Sequence, residues 1–150
     1  MGKVKNEIQE AILSLRLSEH DILLLDDKRG RKTFERCANH FSEPSLRWWW
    51  EKFKHPSFLF KQVYQPYKLL NNIIPDINRN VWWIVEDDEE SFYPVYDVRA
   101  NIIKGVLDEC FLFEYYVVDK NLQWLICEKH HNKMIGVGEI LREYNKGRIC

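Results

Sequence analysis

The chain has 150 residues and a mass of 18.2 kDa, with 22 Lys and Arg against 23 Asp and Glu, for a formal charge of −1. At 45% hydrophobic and 30% charged, it has the size and composition of a single domain, which buries roughly 68–70% of the surface its unfolded chain exposes. These values exclude a disordered tail, a collagen-like repeat and a protein that holds polyanions through net charge.

Val4, Ile8, Ala11, Ile12 and Leu15 have the spacing of one helical face. Ile22–Leu25 reads as a short strand or a second buried turn. A basic stretch follows, Lys28, Arg29, Arg31, Lys32 and Arg36 against Glu35, and Phe34, Cys37, Ala38 and Phe41 form a second helical stripe. Pro44 marks a break, after which Leu46, Trp49, Trp50 and Phe53 fall at helical spacing again. Pro66 opens a short helix through Leu69, Leu70 and Ile73, and Pro75 closes it.

The second half changes character. Val81–Val85 is β-branched and aromatic, hence a strand. Glu86, Asp87, Asp88, Glu89 and Glu90 are five consecutive acids, expected in a solvated loop. Phe92–Tyr96 reads as a strand confined by Pro94 to an edge or an end. Val98, Ile102, Ile103, Val106, Leu107 and Cys110 predict an amphipathic helix with Asp97 as its N-cap. Residues 111–118 and 122–128 predict a hairpin joined through 119–121. Met134–Val137 adds a strand, and Gly138 precedes a last helix with Ile140, Leu141 and Tyr144. The expected fold is one α+β domain over residues 1–150, its N-terminal helices packed on one face of a C-terminal antiparallel sheet.

No apolar run approaches the ~20 residues of a membrane span, and the N-terminal segment lacks the apolar stretch of a signal peptide. The expectation is a cytoplasmic chain with no membrane partner and no cofactor. Cys37, Cys110, Cys127 and Cys150 have no CxxC spacing and read as free thiols.

Six Trp, seven Tyr and eight Phe are more aromatics than core stripes require. Three consecutive indoles cannot share one helical face, so Trp48 points away from the Trp49–Trp50 stripe, as a partner-binding anchor or packed under the loop of Phe58 and Phe60. Trp82 and Trp83 point to opposite sides of a strand, which is covered on both sides or exposes Trp82 to a partner. The acidic run could steer a basic partner by charge complementarity. Arg47, Lys52, Lys54, Lys61 and Lys68, interleaved with aromatics over 47–68, suit single-stranded nucleic acid, which ranks below a protein partner because no nucleic-acid-binding signature accompanies them. Cys37/His40 and Cys127/His130 would supply a Cys2His2 zinc set, but the first pair falls on a helix stripe and no metal is expected. If Val118 faces Leu122, then Glu114 and Glu128 are diagonal neighbours on one face beside His130 and His131, a candidate acid–base site.

Phe113-Glu114-Tyr115-Tyr116-Val117-Val118, then Trp124-Leu125-Ile126-Cys127-Glu128-Lys129-His130-His131 and Gly136-Val137-Gly138, with Trp82–Asp87 upstream, resemble a family of small bacterial proteins of unknown function. The resemblance covers about residues 80–140, and relatives usually have Asn where this chain has Lys129. Proteins of this kind are similar in type to the Smi1/Knr4-like immunity proteins that neutralise bacterial toxins. The resemblance implies an immunity or antitoxin-like role against a toxin or other protein partner, and it transfers no catalytic residues. The rival readings are a small hydrolase using Glu114, Glu128, His130 and His131, and a nucleic-acid-binding module over 47–68.

Overall fold

A computed structural model describes residues 2–42, 53–60, 62–90 and 92–146. Helix α1 (Lys3–Ser14) leads to strand β1 (Ile22–Leu24) and helix α2 (Asp27–Phe41), whose first turn is capped where Asp26 Oδ1 accepts from Arg29 N at 2.9 Å. Strand β2 (Ser57–Leu59) is followed by a 3₁₀ turn (Pro66–Leu69) running into α3 (Leu70–Ile73). Then come β3 (Asn80–Val85), β4 (Val95–Arg99), α4 (Ala100–Asp108), β5 (Tyr115–Val118), β6 (Leu125–Lys129), β7 (Lys133–Val137) and α5 (Glu139–Tyr144). The strands form one seven-stranded antiparallel sheet in the order β1-β4-β3-β5-β6-β7-β2. No helix among the described residues is long and apolar enough to cross a membrane.

The α+β class holds, but the helices do not lie on one face. Val81, Trp83, Val85, Tyr96, Val98, Tyr115, Val117 and Ile126 pack with Ile8 and Ala11 of α1, Leu70 and Ile73 of α3, Ile103 and Val106 of α4, and Leu141 of α5. Ile84, Val95, Tyr116, Val118, Leu125 and Cys127 pack with Cys37, Ala38 and Phe41 of α2. Every residue of β5 and β6 is buried. Apolar side chains on both sides of a strand demand cover on both sides, which α2 supplies for the second face. The sheet also draws β1 and β2 from the first half of the chain.

Three local expectations change as well. Asp97 is not a helix cap: it sits within β4 opposite Trp82, and its Oδ1 accepts from Asn80 Nδ2 at 2.9 Å and pairs with Lys120 Nζ at 2.8 Å. Residues 43–52 lie outside the described set, but Phe53, expected on their helical stripe, forms a β-bridge with Ser42. The β5–β6 register differs by three residues, because Val118 pairs with Leu125 and not Leu122. A turn organised by Asp119 absorbs the difference: Leu122 N donates to Asp119 O at 2.8 Å, Gln123 N to Asp119 Oδ2 at 3.0 Å, and Leu122 takes φ 58°. An odd shift in register turns every side chain to the other face.

Candidate functional site

The shifted register decides what the end of the sheet can hold. Tyr115 and Glu128 form a cross-strand pair, and the Tyr115 hydroxyl donates to Glu128 Oε1 at 2.7 Å on the face covered by α1, α3 and α4. Tyr116 and Lys129 belong to the opposite face. There the ladder extends past β3 through Glu86 N to Glu114 O at 3.0 Å, which brings two carboxyls to one ammonium. Lys129 Nζ is hydrogen-bonded to Glu86 Oε2 and lies 3.3 Å from both Glu114 Oε2 and the Tyr116 hydroxyl, with 1% of its side chain exposed. The Tyr116 hydroxyl donates to Glu86 at 3.0 Å. A cation this far from water is tolerated only because carboxylates and a hydroxyl surround it.

At the β6–β7 tip, His131 and Asn132 take φ 64° and 61°, a conformation for which His and Asn are enriched among non-glycine residues. This turn swings His130 back over β5. Glu114 Oε1 accepts from His130 N at 2.8 Å and meets His130 Nδ1 at 3.0 Å, while 58% of the His130 side chain stays exposed. The His131 ring stands edge-on to that of His130, centroids 4.8 Å apart. Leu112, Phe113, Glu114, Glu128, Lys129 and the two histidines line a cleft of about 330 Å³.

The carboxyls of this cluster are pushed apart in acidity. Burial raises Glu86 above the usual carboxyl range, against the hydrogen bond and charge of Lys129. Burial also pushes Glu114 upward, but the hydrogen bonds from His130 and the charge of Lys129 outweigh it and hold this carboxyl low. Glu128 is raised by burial, against the hydrogen bond from Tyr115. Burial and the neighbouring Glu86 likewise lift the Tyr116 hydroxyl far above its ordinary value.

All four residues of the acid–base expectation thus line one cleft, yet Glu114 and Glu128 reach it from opposite faces of the sheet, each already bonded. With Nδ1 on Glu114, the His130 ring is oriented as a base in a carboxylate–histidine pair. Among the described residues, no Ser, Thr or Cys side chain lines the cleft, so what it offers is an imidazole, carboxylates and a buried amine.

The acidic run is used inside the protein. Asp87, 2% exposed, accepts through Oδ2 from Val4 N at 3.1 Å and Lys5 N at 3.2 Å, while Glu89 accepts from Lys3 N at 2.7 Å. Glu90 accepts from Gly2 N and from Lys5 Nζ, both at 2.9 Å. The first turn of α1 has no side-chain cap of its own. The loop supplies acceptors for its orphan amides and negative charge for the positive end of its dipole. With Glu86 committed to Lys129, Asp88 and Glu89 are the members of the run that remain exposed. Gly2 permits the approach, since a Cβ there would lie 2.1 Å from Asp87 Oδ2.

Trp82 is half-buried, with Lys120 Nζ 4.2 Å from its ring centroid, and Trp83 is fully buried. Trp48 lies outside the described residues, as do Arg47, Lys52 and Lys61 of the basic-aromatic segment. Lys54 Nζ bonds Asn39 O at 2.8 Å. Cys37 and Cys127 are buried in the α2 core, and burial pushes each thiol up to about 12. Among the described residues no three His, Cys, Asp or Glu side chains are grouped to hold a metal ion.

The sequence offered no sign of the most exposed apolar pair beside the cleft. Phe111 and Leu112, assigned to a strand by composition, sit in the α4–β5 loop with 79% and 67% of their surface exposed. Phe111 N is tied to Glu7 Oε1 at 2.7 Å. On that side lies an acidic hollow of about 250 Å³ lined by Glu7, Glu10, Asp108 and Glu109. On the other side lies the Glu114–Glu128 cleft.

No curated protein and no solved structure matches the chain. Residues 1–147 match a family of unknown function, DUF6756, and the chain belongs to that family.

Proposed function

We propose that this protein binds and neutralises a basic protein partner, as immunity and antitoxin proteins do, through the loop of Phe111 and Leu112 and the acidic hollow of Glu7, Glu10, Asp108 and Glu109 beside it. The carrying observation is the exposure of those two apolar side chains beside the acidic hollow of Glu7, Glu10, Asp108 and Glu109, with the mixed-charge cleft of Glu114, Glu128, Lys129 and His130 on the other flank. Adjacent apolar anchors beside an acidic hollow suit a partner whose apolar pocket is bordered by cationic groups. The likeness in type to Smi1/Knr4-like immunity proteins belongs to this proposal and not to the family assignment. The acidic run contributes through Asp88 and Glu89, whereas Asp87 serves the fold. Trp82, beside Lys120 on the α2 side of the sheet, is a separate candidate contact under this proposal. Affinity capture from the source bacterium tests it: recovery of a basic protein, encoded beside this gene, is expected, and recovery of no protein partner contradicts it.

A second reading, a hydrolase using Glu114, Glu128, His130 and His131, draws support from their common cleft. A hydrolytic activity abolished by His130→Ala in the folded protein is its expected signature, and retention of that activity removes it.

A further inference from the structure

The opposite face of the molecule carries a surface of the other sign. Lys28, Arg29, Arg31, Lys32 and Arg36 are all exposed along α2, with Asp27 and Glu35 as the acids of that helix. The helix buries Cys37, Ala38 and Phe41 against the sheet, so its polar arc faces outward. At 100° per residue, Arg29, Lys32, Arg36 and His40 fall in one stripe about 16 Å long. No ion pair joins Arg29, Lys32 or Arg36 to a carboxylate among the described residues. Beside the stripe runs an open groove of about 760 Å³ between α2 and the β5–β6 loop, lined by Lys32, Glu35, Arg36, Asn39, His40 and Leu122.

One end of this groove has an aromatic platform. The rings of exposed His40 and half-buried His55 stack with centroids 4.8 Å apart and an interplanar angle of 25°, and Phe41 stands edge-on beneath them. The pair is fixed, because the His55 ring nitrogen Nε2 lies 3.1 Å from His40 O and Lys54 Nζ bonds Asn39 O at 2.8 Å. Burial and the neighbouring His55 lower the basicity of His40, which favours the neutral form of that ring.

We infer that the α2 groove binds single-stranded nucleic acid, the Arg29–Lys32–Arg36 stripe following the phosphates and the His40–His55 stack receiving an unstacked base. A cationic track beside a π surface is the combination that single strands require, and a paired duplex has no free base face to offer the stack. This surface takes His55 from segment 47–68 but draws its cations from α2, and it is distinct from the acidic loop of Phe111.

Fluorescence anisotropy with labelled 12-residue oligothymidylate and oligouridylate tests the inference. Three phosphate contacts on a single strand give a log–log salt slope near −2, an affinity loss of roughly 20-fold between about 50 and 200 mM salt. Lys32→Glu with Arg36→Glu is expected to weaken binding by at least about tenfold and flatten the slope. His40→Ala is expected to cost about fivefold or more, and His40→Phe to restore it, since stacking is sequence-tolerant. The inference is overturned by absent binding at low salt, by equal binding of duplex with no effect of His40→Ala, or by equal displacement with polyglutamate, which would assign the groove to an acidic protein. Circular dichroism keeps misfolding of a variant from passing as lost binding.

Discussion

The Asp87 carboxylate accepts the Val4 backbone amide at 3.1 Å, across 83 residues of chain. An acidic loop that looks available to a partner is thereby turned into the cap of the first helix. Replacing Asp87 by Ala leaves the partly buried Val4 and Lys5 amides without this acceptor. The expected cost is about 1–3 kcal/mol, read as a lower urea midpoint with unchanged slope. Glu10→Ala, at an exposed position of α1, should move the midpoint little.

Lys129 is the keystone of the Glu86–Glu114–Tyr116 cluster. Lys129→Met removes the cation and leaves two carboxyls facing each other, so a loss of about 3–5 kcal/mol is expected. Adding Glu86→Gln should recover part of it, because the residual repulsion then falls. A double mutant no more stable than Lys129→Met alone would show that Lys129 acts by packing and not by charge.

Glu128 gives stability a pH signature. Burial raises its folded-state pKa above the ordinary carboxyl value of 4.5, so between those two values the folded chain holds more protons than the unfolded one. Its contribution therefore declines as pH rises from about 4.5 through the raised value, and is level above it. Glu128→Gln keeps an acceptor for Tyr115 but cannot ionise. Urea midpoints across this range should fall less steeply for the variant; identical pH profiles would contradict the assignment.

Gly136 lies opposite Phe58 in the β2–β7 pair, and a Cβ there would stand 2.6 Å from Phe58 Cζ. Gly136→Ala is expected to cost about 1–3 kcal/mol through overpacking, and a smaller side chain, Phe58→Leu, should relieve part of that loss. Thermal melts of the two single variants and the pair measure the coupling.

Local patterning carried much of the architecture. The Phe34–Cys37–Ala38–Phe41 stripe lies on α2, the Val81–Val85 run lies in β3, and Pro66 opens the short helix ending at Ile73. What local pattern could not carry were relationships set by distant chain. The β5–β6 register depends on how Asp119 folds the connecting turn, and an odd shift placed Glu114 and Glu128 on different faces. Asp97 has the residue type of a helix cap, but its place opposite Trp82 is decided by strand pairing. Lys129 reads as a surface residue until Glu86, 43 positions earlier, is brought to it. Phe111 and Leu112 belong by composition to a strand, and their exposure follows from where α4 ends and from the bond of Phe111 N to Glu7.

The proposed partner interaction is tested most directly at Phe111 and Leu112. Affinity capture with the wild-type chain, with Phe111→Ala/Leu112→Ala, and with Arg36→Glu on the opposite face should recover the same basic partner from the first and third and lose it from the second. Truncating two central apolar anchors should weaken the purified complex by at least about tenfold. Recovery of the partner in equal amount by the Phe111→Ala/Leu112→Ala variant would contradict the account.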